Sequence, residues 1–290
     1  MNILQEIAER TKKRVMEQKE VLPLSTLINR LESQPDTFAS KTNRTTSPLG
    51  TPTVPLDTPI VPLDTSILPF EKALQGEDIS FICEVKRASP SQGLITSDFP
   101  YIEIAKDYER AGAAAISVLT EPFYFKGENR YLSEIAKEVS IPILRKDFVV
   151  DEYMIYEAKE LGAHAVLLIC AILDERKLTR YIDICMKIGL CALVEAHSEE
   201  EVKMALTAGA QIIGVNNRNL KTFDVDIELS MRLREMVPPD VLFISESGIR
   251  SAKDIMNLRN HHVDGVLIGE TLMRASDRRK ALAQLRGDAS

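Results

Sequence analysis

The chain has 290 residues and a formal net charge of −7 at pH 7, with 44% hydrophobic and 27% charged residues. These fractions are those of an ordinary globular protein, and the length suits one large domain or two small ones. The acidic balance argues against nucleic acid as a partner, because a phosphate backbone requires a basic surface. It does not exclude a small anionic substrate, because a local basic site can oppose the overall field.

The cysteine pattern and the first residues bear on metal content and location. The four cysteines form neither a Cys-x-x-Cys pair nor a spacing with histidine that is typical of a metal site. We therefore expect reduced thiols, no metal and a cytoplasmic protein. Residues 1–14 are charged and lack the apolar stretch of a signal peptide, and no apolar run reaches membrane-spanning length. We expect no membrane partner.

The first part of the chain contains two segments of different composition. Residues 2–19 and 24–31 show the apolar spacing of amphipathic helices, which predicts an N-terminal helical extension over residues 1–40. Residues 42–69 hold six of the fourteen prolines, and Val-Pro-Leu-Asp-Thr occurs there twice. Because proline removes a backbone donor and fixes φ, residues 41–69 are predicted to be a Pro-rich flexible insert.

The rest of the chain alternates between strand and helix patterns. Strands are predicted at Phe81–Lys86, Ala113–Leu119, Ile141–Lys146, Ala163–Ile169, Leu190–Glu195, Gln211–Asn216, Val241–Glu246 and Gly265–Gly269. Helices are predicted at Tyr101–Ala111, Glu152–Leu161, Asp174–Ile188, Glu199–Ala208 and Ala252–Leu258. Repeated strand–helix alternation indicates a parallel sheet, so residues 70–290 are predicted to form a (β/α)8 barrel, or TIM barrel. An open doubly wound sheet is the competing architecture, and its dinucleotide-binding form is disfavoured because no Gly-x-Gly-x-x-Gly follows the first strand.

Charged and amide side chains stand where most of these strands end. The residues at these strand ends are Glu84 and Lys86, Thr120 and Glu121, Lys146 and Asp147, Glu195, Asn216 to Arg218, and Glu246 to Gly248. Any one of them is explained by a structural ion pair or by a polar residue that ends a strand. The carboxyl ends of barrel strands converge at one mouth, however, so this repetition predicts that the barrel is a catalytic domain.

The last two predicted strands end in small residues before a helix, at Ser247-Gly248 and at Gly269-Glu270. Glycine lets backbone N–H groups approach an oxyanion, and the loops after the seventh and eighth strands are the usual phosphate site of such barrels. Arg218 can add a forked and permanently charged donor. We therefore predict a small phosphorylated substrate.

Six segments at the strand ends are similar to a known family. They are Glu84–Ser91, Leu119–Glu121, Leu144–Phe148, Leu193–Glu195, Gly214–Leu220 and Ser245–Ile249. Together they resemble the indole-3-glycerol-phosphate synthase family, in register from about residue 70 onward, and the N-terminal helices fit that family's helical arm. The Glu-x-Lys-x-x-Ser-Pro-Ser run is highly specific. Two features depart from the family pattern, because the Pro-rich insert is longer and Glu270 stands where serine is common.

The resemblance implies a carboxy-lyase of tryptophan biosynthesis. Its substrate would be 1-(2-carboxyphenylamino)-1-deoxyribulose 5-phosphate, converted to indole-3-glycerol phosphate by ring closure, decarboxylation and dehydration. That reaction needs an acid at the carbonyl oxygen, a base for the dehydration, a phosphate anchor and an apolar slot for the ring. It has no redox step, which agrees with the missing dinucleotide motif, and we expect no cofactor.

The resemblance also implies roles for single residues. Lys146 would be the general acid of ring closure and Glu195 the general base of dehydration, while Lys86 would neutralise a substrate anion and could share the acid's duty. The remaining catalytic candidates are Glu84, Asn216 and Glu246, of which the last two suit the ribulose hydroxyls. The phosphate candidates are Lys86, Ser89, Arg218, Ser247, Gly248, Gly269 and Glu270. The aromatic-ring candidates are Pro90, Phe125, Phe148, Leu167 and Leu193.

Two other functions fit parts of the pattern. A sugar-phosphate isomerase similar to phosphoribosylanthranilate isomerase would use Asp and Cys at strand ends, where the first strand here offers Glu84 and Lys86. A non-catalytic barrel that binds a phosphorylated metabolite would keep Arg218 but would not need Lys146 together with Glu195. In each case we expect a monomer or a weak homo-oligomer.

Overall fold

The computed structural model describes residues 3–33, 67–219 and 222–288. The strands in these ranges are β1 (Ser80–Val85), β2 (Ala88–Ser89), β3 (Gly93–Leu94), β4 (Ala115–Leu119), β5 (Ile143–Lys146), β6 (Ala165–Ile169), β7 (Cys191–Ala196), β8 (Ile212–Asn216), β9 (Leu242–Glu246) and β10 (Gly265–Ile268). Strands β2 and β3 form a small antiparallel pair in the loop after β1, and the other eight are parallel and form a closed barrel.

The barrel closes because β1 pairs with β4 on one side and with β10 on the other. This closure confirms the predicted (β/α)8 barrel and rules out the open doubly wound sheet, which would leave an unpaired strand at each edge. Each predicted strand is present, and its ends differ from the prediction by at most two residues.

The helices in the described ranges are α1 (Ile3–Val21), α2 (Leu24–Ser33), α3 (Pro69–Leu74), α4 (Tyr101–Arg110), α5 (Asn129–Glu138), α6 (Tyr153–Glu160), α7 (Glu175–Lys187), α8 (Glu199–Thr207), α9 (Glu228–Arg234), α10 (Ala252–Asn260), α11 (Glu270–Met273) and α12 (Arg278–Arg286). Helices α3, α9 and α11 span only 6, 7 and 4 residues, so an apolar period of 3.6 residues hardly repeats within them. They and the longer α5 and α12 are additional to the predicted set. None of the helices in these ranges has the length and apolar composition needed to cross a lipid bilayer.

Alternation along the strands divides the core into two layers. On β1, Ile82 packs inside the barrel with Leu144, whereas Phe81 and Cys83 pack outward against the helices. Both faces of the strand are buried, so its sequence is a nearly continuous apolar run. The next inward position after Ile82 is Glu84, at the carboxyl end. The same alternation therefore fills the interior with apolar side chains and puts a carboxylate at the mouth.

Helix α3 closes the amino end of the barrel. Phe70 and Leu74 are buried in the interior cluster, and Ser80 Oγ at the start of β1 donates to the carbonyl oxygen of Ala73 at 3.4 Å. The amino end of the barrel is therefore filled by side chains, and the space for a ligand lies at the carboxyl end.

Helix α1 lies at that carboxyl end and is tied to the loop after β5. Arg14 Nη2 donates to both carboxylate oxygens of Asp147 at 2.9 Å. Thr120 Oγ1 donates to Asp147 at 2.7 Å. Burial opposes ionisation of Asp147, but Arg14 and Arg145 outweigh it and hold its pKa below the ordinary value. A buried carboxylate that stays ionised depends on such partners.

Arg14→Ala is expected to destabilise the protein by about 1–3 kcal/mol, because it leaves a buried carboxylate with fewer partners. Urea unfolding at pH 7 measures the change. Arg30→Ala is the matched control on α2, since Arg30 pairs with Glu160 at 3.0 Å and is 52% exposed. An exposed pair of this kind contributes about 0–1 kcal/mol. Equal losses of stability in the two variants would contradict the stabilising role of the Arg14–Asp147 pair.

The N-terminal helices agree with a helical extension, but residues 34–66 lie outside the described ranges. The predicted flexible insert falls almost entirely on these residues. The division into 1–40, 41–69 and 70–290 therefore stays a prediction.

Candidate active site

A cavity of about 440 Å³ opens at the carboxyl end of the barrel. Its walls come from the ends of the strands, from the loops that follow them and from α1. Of the residues predicted for the site, all but Leu193 line this cavity. Leu193 is fully buried in the barrel interior, one inward-facing step nearer the amino end of β7 than Glu195. Its assignment to the ring pocket is therefore corrected to the barrel core.

The floor of the cavity holds an ammonium group among carboxylates. Lys146 Nζ lies 2.7 Å from Glu246 Oε2 and 3.3 Å from Glu195 Oε2, and Lys86 forms an ion pair with Glu84. Burial opposes the charge on Lys146, but Glu246 and the other two carboxylates outweigh it and raise its pKa above the ordinary value. Lys146 therefore stays protonated and presents an ammonium group as a donor to the cavity.

The two carboxyl groups beside Lys146 have opposite pKa shifts. Burial opposes the ionisation of Glu195, but Lys146 and His197 outweigh it and hold the pKa of Glu195 below the ordinary value. For Glu246, the effect of burial, which raises the pKa, is larger than the effect of Lys146, which lowers it. The negative charge of the nearby Glu195 raises the pKa further, to about 7. Environments that separate two carboxyl groups in this way give them different chemical roles. Glu195 is an ionised acceptor, whereas Glu246 holds a proton more readily than an ordinary carboxyl group does.

The loops after β8, β9 and β10 form one end of the cavity. Ser247 and Gly248 are consecutive residues with φ of 68° and 84°, and this left-handed turn is unusual for serine. Asn217 holds the turn, because its Nδ2 donates to the carbonyl oxygen of Ser247 at 3.1 Å and to Ser245 Oγ at 3.0 Å. Successive backbone N–H groups in such turns form concave anion sites.

Two charged residues flank this loop end. Arg218 Nη1 donates to the carbonyl oxygen of Phe223 at 3.2 Å, and its Nη2 lies 3.9 Å from Glu270 Oε2. Glu270 Oε1 also accepts from Arg274 Nε at 3.2 Å. The residue that departs from the family pattern therefore places a carboxylate against the guanidinium predicted to bind phosphate.

The opposite end of the cavity is apolar. Pro90, Phe125, Phe148 and Leu167 lie in its wall, and the rings of Phe125 and Phe148 are 6.0 Å apart between centroids at an angle of 40°. Such tilted aromatic pairs form stable walls for a planar ring. Three apolar residues of α1 complete this end, and they are Ile3, Leu4 and Ile7. Sequence reasoning missed them, because the apolar face of α1 gives no sign of what it covers.

Some polar residues at strand ends serve the structure instead of the cavity. Glu121 is buried, and its carboxylate accepts the backbone N–H groups of Phe123, Tyr124 and Phe125 at 2.7 to 2.9 Å. It therefore shapes the loop that carries Phe125. His197, two residues after Glu195, was not predicted and lies against Glu195.

The closed barrel, the buried lysine among carboxylates and the loop end suited to an anion are typical of an enzyme of the (β/α)8 class. Residues 57–285 match the family model of indole-3-glycerol phosphate synthase. The chain is 61% identical to the indole-3-glycerol phosphate synthase of Ruminiclostridium cellulolyticum, over 76% of this chain and 84% of that protein. It is 55% identical to that of Lachnoclostridium phytofermentans, over 74% and 80%. The chain therefore belongs to the indole-3-glycerol phosphate synthase family, a family of decarboxylating lyases in tryptophan biosynthesis.

Solved structures of lower identity share the fold. A 3-hexulose-6-phosphate synthase superposes with a TM-score of 0.58 at 12% identity, over 73% of this chain and 100% of that one. A thiamine phosphate pyrophosphorylase from Pyrococcus furiosus superposes with a TM-score of 0.53 at 20% identity, over 72% and 94%. At such identities the likeness concerns the barrel alone.

Proposed function

We propose that this chain converts 1-(2-carboxyphenylamino)-1-deoxyribulose 5-phosphate to indole-3-glycerol phosphate, carbon dioxide and water. The observation that carries the proposal is the Lys146 ammonium held between Glu195 and Glu246, with an apolar end of the cavity on one side and an anion-suited end on the other. A substrate with an aromatic ring, a carbonyl group and a phosphate can span these three parts. We also propose that the chain works in the cytoplasm as a monomer or weak homo-oligomer.

The proposed chemistry divides between Lys146 and Glu195. Lys146 donates its proton to the ribulose carbonyl oxygen as the ring carbon attacks, and loss of carbon dioxide follows. Glu195, ionised at neutral pH, accepts a proton during the dehydration that completes the indole. Lys86 faces the substrate carboxylate, and its pairing with Glu84 keeps it at the cavity floor.

The ribulose hydroxyls are assigned to Glu246 and Asn216. Within the described ranges, Glu246 Oε1 is buried without a hydrogen-bond partner, so it is free to accept from a hydroxyl group. Asn216 Oδ1 accepts the backbone N–H of Arg218 at 3.1 Å, which orients its amide between the floor and the loop end. The two residues thereby join the acid–base floor to the proposed phosphate site.

The proposal is tested by adding the carboxyphenylamino-deoxyribulose phosphate to the enzyme and following indole fluorescence together with released carbon dioxide. Both signals are expected in equal amounts. The absence of both signals from the folded protein would refute the proposal. The isomerase alternative has less support, because all four cysteines are buried and none lines the cavity among the described residues.

Arg218→Ala is expected to raise KM by about 10- to 100-fold and to change kcat little, because a charge-assisted hydrogen bond to phosphate holds substrate and transition state alike. Steady-state kinetics measure both constants. Arg176→Ala, on the exposed face of α7, is the matched control and should leave both unchanged. A loss confined to kcat would assign Arg218 to the chemistry instead of to the phosphate.

A further inference from the structure

The imidazole of His197 lies between two carboxylates at the end of β7. Its Nε2 is 3.4 Å from Glu195 Oε1, and its Nδ1 is 3.2 Å from Glu201 Oε2. The backbone N–H of His197 donates to the same Glu201 oxygen at 2.7 Å. Ser198 caps α8 and accepts from the backbone N–H of Glu201, which fixes Glu201 in the first turn of that helix. The ring therefore has one orientation, with one nitrogen toward each carboxylate.

This arrangement selects the charged form of the imidazole. An ionised carboxylate only accepts hydrogen bonds, and a neutral imidazole has a single N–H group. When Nδ1–H donates to Glu201, a neutral ring turns the lone pair of Nε2 toward Glu195, which is repulsive. The imidazolium instead turns a positively charged N–H group toward Glu195 at 3.4 Å, an ion pair without hydrogen-bond geometry. Burial works against the charge, but the hydrogen bond to Glu201 and the carboxylate of Glu195 outweigh it and raise the pKa of His197.

The other titratable groups around the His197 ring are also compatible with a positively charged imidazole. From β9, Glu246 adds a third carboxyl group that favours the imidazolium. From β5, Lys146 is the nearest other cation, and it is already paired with Glu195 and Glu246. Cys170, after β6, lies against Glu201, and burial raises the pKa of its thiol to about 12, so it stays neutral.

We propose that His197 is a positioning residue for Glu195, whose imidazolium holds this carboxylate oriented and ionised while Glu201 holds the imidazole. The inference rests on the proposed function, because it takes Glu195 as the base. Lys146 then contacts one oxygen of Glu195 and His197 the other. Glu195 thereby lies between two cations. Two cations lower the pKa of its carboxyl group further than one cation would.

The consequence appears in the acid limb of the pH profile of kcat. The base must be ionised to work, so turnover falls as the pH drops through the pKa of Glu195. Removing a neighbouring cation raises that pKa and moves the limb to higher pH. His197→Asn, which keeps a polar side chain without the charge, is expected to move the limb upward by about one pH unit.

Glu201→Gln is the companion variant, since it leaves His197 in place but weakens the support for its charge. It should move the acid limb in the same direction by a smaller amount. A His197→Asn enzyme with lower kcat at all pH values and an unmoved limb would overturn the proposal, because that result indicates a structural role only. An unchanged profile in both variants would overturn it as well.

An NMR titration tests the charge without relying on turnover. The chain has four histidines, and the signal that is lost in His197→Asn identifies the ring of His197. We expect His197 to titrate above the ordinary value of about 6.5 and to do so at lower pH in Glu201→Gln. His164 is an internal contrast, because burial lowers its pKa to about 4. If His197→Asn fails to fold, Glu201→Gln and selective labelling of the parent protein still give the result.

The two measurements separate the inference from the function it rests on. Normal turnover with a His197 that titrates below the ordinary value would overturn only the role of His197. No turnover with the proposed substrate would overturn the proposed function, and with it the role of Glu195 as the base.

Discussion

Lys146→Ala is expected to lower kcat by at least about 100-fold, the usual contribution of one positioned acid. The substitution removes the only ammonium group that contacts both Glu195 and Glu246 within the described ranges. The carbonyl oxygen then lacks its proton donor at ring closure. The product should still bind, because the apolar end and the loop end of the cavity are untouched. Steady-state kinetics and fluorescence titration with indole-3-glycerol phosphate measure the two effects.

Lys146→Arg is the matched control for charge. It keeps a cation among the buried carboxylates, but a guanidinium group does not release its proton in the working pH range. A comparable loss in both variants would assign the lost rate to proton donation. Recovery of kcat in Lys146→Arg would show that the positive charge is what matters. Near-normal turnover of folded Lys146→Ala would end the assignment and make Lys86 the acid.

Glu195→Gln is expected to lower kcat by about 100-fold or more, because the amide keeps the shape of the side chain but cannot accept a proton. Ring closure and loss of carbon dioxide do not need this base. A ring-closed and decarboxylated intermediate should therefore accumulate in a single turnover. Rapid-quench sampling, with carbon dioxide and indole measured in the same samples, shows whether the first is released before the second.

The control for this substitution is Glu200→Gln, an exposed residue of α8. This substitution should leave both the release of carbon dioxide and the formation of indole unchanged. If Glu195→Gln slowed carbon dioxide and indole equally, Glu195 would act at ring closure or earlier, and the division of roles with Lys146 would be wrong.

Positions along each strand were predictable from the sequence alone. Alternation with a period of two and a known direction of parallel strands suffice to put Glu84, Lys146 and Glu195 at one end of the barrel. The contacts among these groups, and the opposite pKa shifts of Glu195 and Glu246, were not predictable. They depend on partners that are 49 and 100 positions apart in sequence, as in the contacts of Lys146 with Glu195 and Glu246.

The sequence by itself therefore determined the (β/α)8 barrel and which residue types stand at its mouth, because both follow from local periodicity and strand direction. Tertiary structure alone decided how these residues are used. It set Leu193 in the core, engaged Glu121 with a loop, placed Glu270 against Arg218 and put His197 beside Glu195. The physical reason is that burial and electrostatic interaction depend on distance in space, and distance in sequence carries little information about them.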